Sequence, residues 1–151
     1  MTWERGREVL QRLLLEGRLE RISGAAADGS HWLNSAAALL ESAERECDRN
    51  PEAAYVLAYD AARKASTALI AQQGLRTRSD GHHVTVIEVV RAQFGGPFDA
   101  LGAMRRRRAE VEYPQTPGDD IGDAEARQAV EAAERVLGAA AKLIAQLTIF
   151  R

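Results

Sequence analysis

Four consecutive arginines at positions 105–108 are the residues of this chain best suited to chemistry. A guanidinium group binds phosphate or carboxylate through paired hydrogen bonds that lysine cannot reproduce. Glu112 follows Arg108 by four residues, which is one turn of a helix. The run therefore indicates one of two structures. It forms an anion or phosphodiester site, in which Arg108 and Arg105 reach the charge, or a solvated face with a structural Arg108–Glu112 ion pair.

Helical phasing separates the members of this run. Each residue of an α-helix advances by about 100°, so four successive side chains cannot share one face. Arg108 falls inside an apolar stripe and Glu112 falls at its edge, whereas Arg106 and Arg107 are predicted to point toward water or a partner. The stripe consists of Phe98, Leu101, Met104 and Val111. Because a buried guanidinium must be paired and hydrogen-bonded, we expect Arg108 to be a functional residue.

A second group of polar side chains lies on the flank of a helix that is predicted to begin at Pro51. Asp60 and Lys64 have the spacing of an i,i+4 ion pair, which on most helices contributes only about 0.2–0.5 kcal/mol. The alternative is that this helix faces the arginine helix and supplies a partner for Arg108. In that case Asp60 and Arg63 are the candidate binding residues of the helix.

The sequence contains no motif for metal binding, for a disulfide or for nucleophilic catalysis. The adjacent His82 and His83 diverge by about 100° on a helix and have no further histidine or carboxylate at metal-ligand spacing. We therefore predict no metal and no cofactor, and expect both histidines to pack or to bind loop carbonyls. Cys47 is the only cysteine, which excludes an intramolecular disulfide and a multi-cysteine zinc site. There is no motif for nucleophilic catalysis and no glycine-rich phosphate loop.

The composition predicts one all-α domain. Its 151 residues suffice for a single core, alanine is abundant, and the run at 83–87 is the only strand-like segment. We expect an antiparallel bundle of four to six helices within a single domain (1–151), with an N-terminal helical extension at 1–28 and the bundle at 30–151. The formal net charge of −2 gives no whole-molecule positive field. No long apolar run or leader pattern occurs, so we expect a soluble, cytoplasmic protein without a membrane partner.

The helix boundaries follow from capping residues and breakers. The first half of the chain is predicted to contain a first helix from Thr2 to Ile22, a second from Ser30 to Asn50 and a third from Pro51 to Gly74. A polar loop at 75–81 and a fourth helix from about His82 to Phe94 follow. The arginine helix ends near Tyr113, and a last helix from Asp123 leads to a hydrophobic tip at Ile149 and Phe150.

Two segments together carry a resemblance to a known family: residues 54–65 with the downstream 74–83, and residues 104–114. They resemble a HEPN domain, a small helical bundle of nucleic-acid defence systems, over about residues 35 to 148. Many members are metal-independent ribonucleases with an arginine and, four to six residues later, a histidine. Two copies of this motif meet across a homodimer interface. The implied reaction is attack of the ribose 2′-hydroxyl on the phosphate, with arginine stabilising charge and histidine moving a proton.

This sequence departs from the family motif at the histidine. The corresponding position is Glu112 when counted from Arg107 and Tyr113 when counted from Arg108. The resemblance implies Arg108, Glu112 and Tyr113 as catalytic candidates and Arg105 and Arg107 as binding residues, with ribonuclease activity left open. It also implies a homodimer in a toxin–antitoxin, defence or stress system with an RNA- or nucleotide-facing site. The alternative is a non-catalytic module that binds a partner such as a small nucleotidyltransferase, in which Tyr113 is modified.

Overall fold

The computed structural model describes residues 3–78 and 81–151. The all-α helical bundle is confirmed, with six α-helices in these residues. They are α1 (Arg7–Leu15), α2 (Ser30–Glu46), α3 (Pro51–Gln72), α4 (His82–Gln93), α5 (Leu101–Glu112) and α6 (Asp123–Leu143). Two short strands, β1 (Leu19–Arg21) and β2 (Leu75–Thr77), accompany 3-10 turns at Gly24–Ala26, Gly96–Ala100 and Ile144–Gln146.

The central helix is α3, which packs against α2, α4, α5 and α6. Asn50 caps its start by accepting a hydrogen bond from the backbone N–H of Ala53 at 3.2 Å, and Pro51 occupies the first turn, where its missing N–H is not needed. The small side chain of alanine allows the neighbouring helices to pack close to the axis of α3. The fully buried alanines of α3 are Ala54, Ala58, Ala61, Ala62, Ala65 and Ala68.

Contacts near the helix ends give the directions of the neighbouring helices. Lys64, in the second half of α3, donates to Ser35 near the start of α2, so α2 runs antiparallel to α3. The α6 helix follows α3 instead, because Arg127 near its start pairs with Asp48 just before α3. At the other end, the Phe150 N–H donates to the carbonyl of Gln73 at 2.9 Å. The antiparallel order thus holds for α2, whereas α6 runs in the same direction as α3.

The N-terminal region differs most from the prediction. The first helix ends at Leu15 rather than Ile22, because the chain turns at Gly17, whose φ of 74° lies in the left-handed region that favours glycine. Gly6 precedes the helix; the predicted cap, Thr2, lies outside the described residues. The buried side chains of α1 belong to the main core, so this region is part of the bundle's packing.

A small antiparallel sheet replaces part of the predicted polar loop at 75–81. Leu19 pairs with Thr77 and Arg21 pairs with Leu75. Leu19 and Leu75 are both buried, which is the physical reason why these residues leave the solvent and form strands. The strand-like run at 83–87 lies instead within α4.

One further boundary is corrected. The α2 helix ends at Glu46, before the predicted Asn50, which caps α3 instead. In the hydrophobic tip at the C-terminal end, Phe150 is buried and Ile149 is exposed. No helix in residues 3–78 or 81–151 has the length and apolar character needed to cross a membrane.

Candidate functional site

The arginine helix α5 lies against α3, and Arg108 marks the contact. Its Nη1 lies 3.0 Å from Glu112 Oε1, and its Nε lies 3.5 Å from Asp60 Oδ1. The side chain is only 22% exposed. These contacts confirm the predicted Arg108–Glu112 pair and the prediction that the third helix supplies a partner for Arg108. An Arg108–Glu112 pair alone fits a purely structural role for the four arginines. The surroundings of Arg108 therefore decide whether it can also bind an anion.

Two aromatic side chains extend this site from α3 to α4. Tyr59 is fully buried, and its hydroxyl lies 3.1 Å from His83 Nδ1. The guanidinium carbon of Arg108 lies 5.9 Å from the centre of the Tyr59 ring. His83, which belongs to the first turn of α4, is thereby linked through Tyr59 to the arginine helix.

The neighbouring histidine, His82, binds a second arginine of the site, Arg63 of α3. Arg63 Nη1 lies 3.3 Å from His82 Nε2. A guanidinium can only donate, so His82 Nε2 accepts and the proton of the neutral ring sits on Nδ1, which is hydrogen-bonded to the Thr77 hydroxyl. The strand β2 therefore fixes the orientation of His82, and His82 in turn orients Arg63.

Burial and nearby positive charges keep both histidines neutral at physiological pH. Burial lowers the pKa of His83 to about 4, assisted by the positive charges of Arg63, Arg108 and Arg105. Burial and the Arg63 charge also lower the pKa of His82. Burial raises the pKa of Tyr59 to about 12, so its hydroxyl keeps its proton and can pair with His83 Nδ1 in either tautomer of the ring. The site therefore offers neutral imidazoles beside arginines.

Three buried polar atoms at this site have no hydrogen-bond partner within the described part of the chain. They are Asp60 Oδ1, Arg63 Nε and Arg108 Nε. Asp60 and Arg108 are close enough for an ion pair, but their 3.5 Å contact does not have hydrogen-bond geometry. Buried N–H donors without an acceptor are rare in folded proteins, and here two of them belong to arginines of one cluster.

Arg105 adds a third guanidinium. It makes no ion pair and no hydrogen bond to the described residues, and its charge acts on both Tyr59 and His83. We use the name arginine–histidine cluster for the residues that converge from α3, α4 and α5. They are Tyr59, Asp60, Arg63, His82, His83, Arg105 and Arg108.

Arg107 does not belong to this cluster, and the prediction that it points toward water or a partner is wrong. Its guanidinium contacts Glu125 at 2.7 Å, Asp119 at 3.0 Å and Glu110 at 3.1 Å, and the side chain is only 17% exposed. Hydrogen bonds to Glu125 and Asp119 raise its pKa. The loop after α5 returns across Arg107, a long-range effect that helical phasing does not include. Arg106 is exposed, as predicted.

Tyr113 lies at the end of α5, outside the arginine–histidine cluster. Its side chain is 78% exposed and borders an open cavity of about 540 Å³ between α5 and the following loop. Acidic side chains of Glu110 and Asp119 line the same cavity. The structure thus separates Tyr113 from Arg108, although the sequence motif placed them together.

The two histidines are the site residues that sequence reasoning missed. They were expected to pack or to bind loop carbonyls, but they contact Tyr59, Arg63 and Thr77. No local spacing reveals the contacts with Tyr59 and Arg63, because they join α4 to residues of α3 that lie 24 and 19 positions earlier. Within residues 3–78 and 81–151, no group of three or more His, Cys, Asp or Glu side chains could hold a metal ion.

Comparison with known proteins returned no match: no protein-family model, curated protein or solved structure matches the chain. Function must therefore be inferred from the geometry of the arginine–histidine cluster.

Proposed function

We propose that this chain binds RNA or a nucleotide through the arginine–histidine cluster, as a HEPN-like homodimer of a toxin–antitoxin, defence or stress system. The observation that carries the proposal is the convergence of Arg63, Arg105 and Arg108 on the neutral His83. Within residues 3–78 and 81–151, the carboxylates that contact these arginines are those of Asp60 and Glu112, and both contact Arg108. Among these residues the three arginines outnumber the two carboxylates, and a phosphate group is the ligand that bidentate guanidinium donors suit best.

The same arrangement supports metal-independent cleavage of the RNA backbone. In this scheme His83 Nδ1–H donates to the Tyr59 hydroxyl oxygen, and the lone pair on Nε2 of the neutral ring accepts the proton of the ribose 2′-hydroxyl as that oxygen bonds to phosphorus. The P–O5′ bond breaks, the protonated imidazole returns its proton to the leaving oxygen, and the products are a 2′,3′-cyclic phosphate and a 5′-hydroxyl. Arg63 and Arg108 stabilise the charge on the phosphoryl oxygens. A histidine of α4 would then take the role that the motif position at Glu112 or Tyr113 does not fill.

Incubation of the purified protein with cellular RNA in EDTA tests this activity. Cleavage should survive chelation, and Arg108→Ala or His83→Ala should reduce its rate by about a hundredfold or more. Arg106→Ala is the matched control, because it removes an equal charge from an exposed position on the same helix and should change the rate less than about twofold. Cleavage that is unchanged in both Arg108→Ala and His83→Ala would remove the cluster from the mechanism.

Binding is measured separately, so that an inactive protein still gives an answer. A labelled single-stranded RNA should bind more weakly to Arg105→Ala and Arg108→Ala than to the Arg106→Ala control, with a smaller dependence on salt. Equal affinities of all three variants would refute the binding proposal. Light scattering tests the homodimer, and a monomer at the concentrations used would contradict it.

A second candidate function rests on Tyr113. Its exposure at the rim of an open cavity supports an interaction module in which a partner such as a small nucleotidyltransferase modifies this hydroxyl. In that case affinity purification from the native host should recover a stoichiometric partner. Mass spectrometry should find an added group on Tyr113, Tyr113→Phe should lack it, and the isolated protein should leave RNA intact. A host protein without modification and without a partner would refute this candidate.

A further inference from the structure

A cavity of about 320 Å³ lies beside the arginine–histidine cluster, on the other side of His82. Its walls are mainly apolar and include Ile22, Trp32, Ile70 and Val86, with Ala26 and His82 also contributing. This volume is at the lower end of the range for small-molecule sites, about 300–1,000 Å³. Among the described residues that line the cavity there is no acidic side chain, and the one arginine, Arg76, is paired with Glu20.

The fold holds this cavity open. The 3-10 turn at Gly24–Ala26 and the start of α2 are fixed against α3, because the Gly29 N–H donates to Gln72 Oε1 at 3.0 Å. A Cβ at Gly29 would lie only 2.2 Å from the carbonyl oxygen of Ala68, so the backbones touch there. The small side chains of Ala26 and Ala71 leave the space between turn and helix unfilled.

His82 connects the cavity to the cluster. One part of its ring lines the cavity, while its Nε2 lies 3.3 Å from Arg63 Nη1. A ligand that places an uncharged ring in the cavity and an anionic group on Arg63 would therefore reach past the His82 ring. A nucleotide has this form, with a flat base at one end and a phosphate at the other.

We infer that the cavity between α2, α3 and β2 is a nucleobase pocket, which takes the base of the nucleotide whose phosphate binds Arg63. The inference rests on the proposed function, since it assigns the substrate of the same site. Trp32 provides an aromatic surface for a base, and the aliphatic walls suit its apolar faces. Thr67 and Thr77 are polar lining residues; the Thr67 hydroxyl donates to the Arg63 carbonyl and can still accept, and the Thr77 hydroxyl accepts from His82 Nδ1 and can still donate. Stacking of a base on an aromatic side chain contributes about tenfold or more in affinity and is sequence-tolerant.

The test compares ligands that share a phosphate and differ in the base. Calorimetry measures the binding of AMP, ribose 5-phosphate and inorganic phosphate to the full chain, with Trp32 fluorescence as a second signal in a Trp3→Phe background. Ala26→Phe places a ring in the cavity from an exposed position. Ala25→Phe is the matched control, because it is exposed on the same turn and does not line the cavity.

The wild-type protein should bind AMP about tenfold or more tightly than ribose 5-phosphate. Ala26→Phe should abolish that difference, Ala25→Phe should retain it, and inorganic phosphate should bind all three proteins equally. If AMP and ribose 5-phosphate bind equally well to the wild type, or if Ala26→Phe keeps the preference, the base pocket is refuted while the phosphate site stands. If phosphate compounds do not bind but adenosine does, and Ala26→Phe blocks it, the proposed function fails and the pocket remains. If none of these ligands binds, both fail.

Discussion

The low pKa of His83 predicts how the stability of this protein depends on pH. The ordinary pKa of 6.5 falls to about 4 in the folded state. As the pH drops below 6.5, the unfolded chain takes up a proton at this residue and the folded chain does not. The free energy of unfolding should therefore fall between pH 6.5 and pH 4, and this contribution should be constant above and below that window.

The size of the effect follows from the two pKa values. One pH unit of difference corresponds to about 1.36 kcal/mol, so a gap from 6.5 to about 4 would contribute about 3 kcal/mol if His83 were fully enclosed. His83 is half-buried, and solvent screens part of its interaction with the arginines. We therefore expect a loss of about 2 kcal/mol.

The variant His83→Gln isolates this contribution, because glutamine carries no titrating proton and still offers an acceptor to the Tyr59 hydroxyl. Urea unfolding of both proteins is measured at intervals from pH 8 to pH 4. The wild type should lose about 2 kcal/mol more than the variant over this range, while carboxylates and His82 titrate equally in both. NMR titration of the imidazole should give the same low pKa directly, and millimolar phosphate should raise it by placing a negative charge beside the ring. Parallel stability curves, or an imidazole that titrates near 6.5, would refute the described environment of His83.

Three further predictions concern parts of the fold that support the site. Gly29→Ala should lower the free energy of unfolding by about 2 kcal/mol, because its Cβ would lie 2.2 Å from a carbonyl oxygen of α3. Gly138→Ala, in open space on α6, should raise the free energy of unfolding by about 0.5–1 kcal/mol. A Gly29→Ala protein more stable than the Gly138→Ala protein would contradict the described packing. Arg107→Gln should speed proteolysis in the loop after α5, because Arg107 binds Asp119 of that loop and Glu125 at the start of α6. The variant should leave RNA affinity unchanged; a loss of affinity equal to that of the cluster variants would return this arginine to the site. Gln93→Leu should cost about 1–3 kcal/mol, because it leaves the buried amide of Gln73, 2.8 Å away, without its partner. The double variant Gln73→Leu/Gln93→Leu should recover part of that loss when its stability is measured by thermal unfolding. If the stability losses of the two single substitutions simply add, the two amides are not coupled.

Sequence patterns predicted the helices well where each helix has a local signal. Pro51 marks the first turn of α3, and the apolar period of 123–143 predicts α6 from its first residue. Both signals are local: proline at the first turn lacks an N–H that is not needed there, and the apolar residues of α6 recur on one face. Their success required no knowledge of the neighbouring helices.

The strands could not be predicted in the same way. Each has only three residues, and the pairing of Leu19 with Thr77 joins segments far apart in the chain. A strand of this length has no period to detect, and its stability comes from burial of Leu19 and Leu75 in a core formed by other elements. The sequence therefore predicted a polar loop at 75–81 and a continuation of the first helix through 19–21.

The candidate site shows the same division between local and long-range information. The Arg108–Glu112 pair follows from a spacing of one helical turn and is confirmed. Arg107 was placed on the wrong surface because its partners Asp119 and Glu125 lie in a later loop and helix. The contact of Tyr59 with His83 depends on how α4 lies on α3, which is a property of the whole bundle.

The arrangement of the cluster also explains why a ligand would stabilise it. Like charges at close range repel, by about 4 kcal/mol at 4 Å in the environment of a protein surface, and Arg63 and Arg105 have no carboxylate among their contacts to the described residues. A histidine beside such charges must stay neutral, as the low pKa of His83 reflects. An anion bound between the arginines would offset their repulsion and permit His83 to gain a proton. Anion binding and protonation of His83 should therefore strengthen each other, so the affinity for phosphate should rise as the pH falls from 6.5 toward the pKa of the free protein.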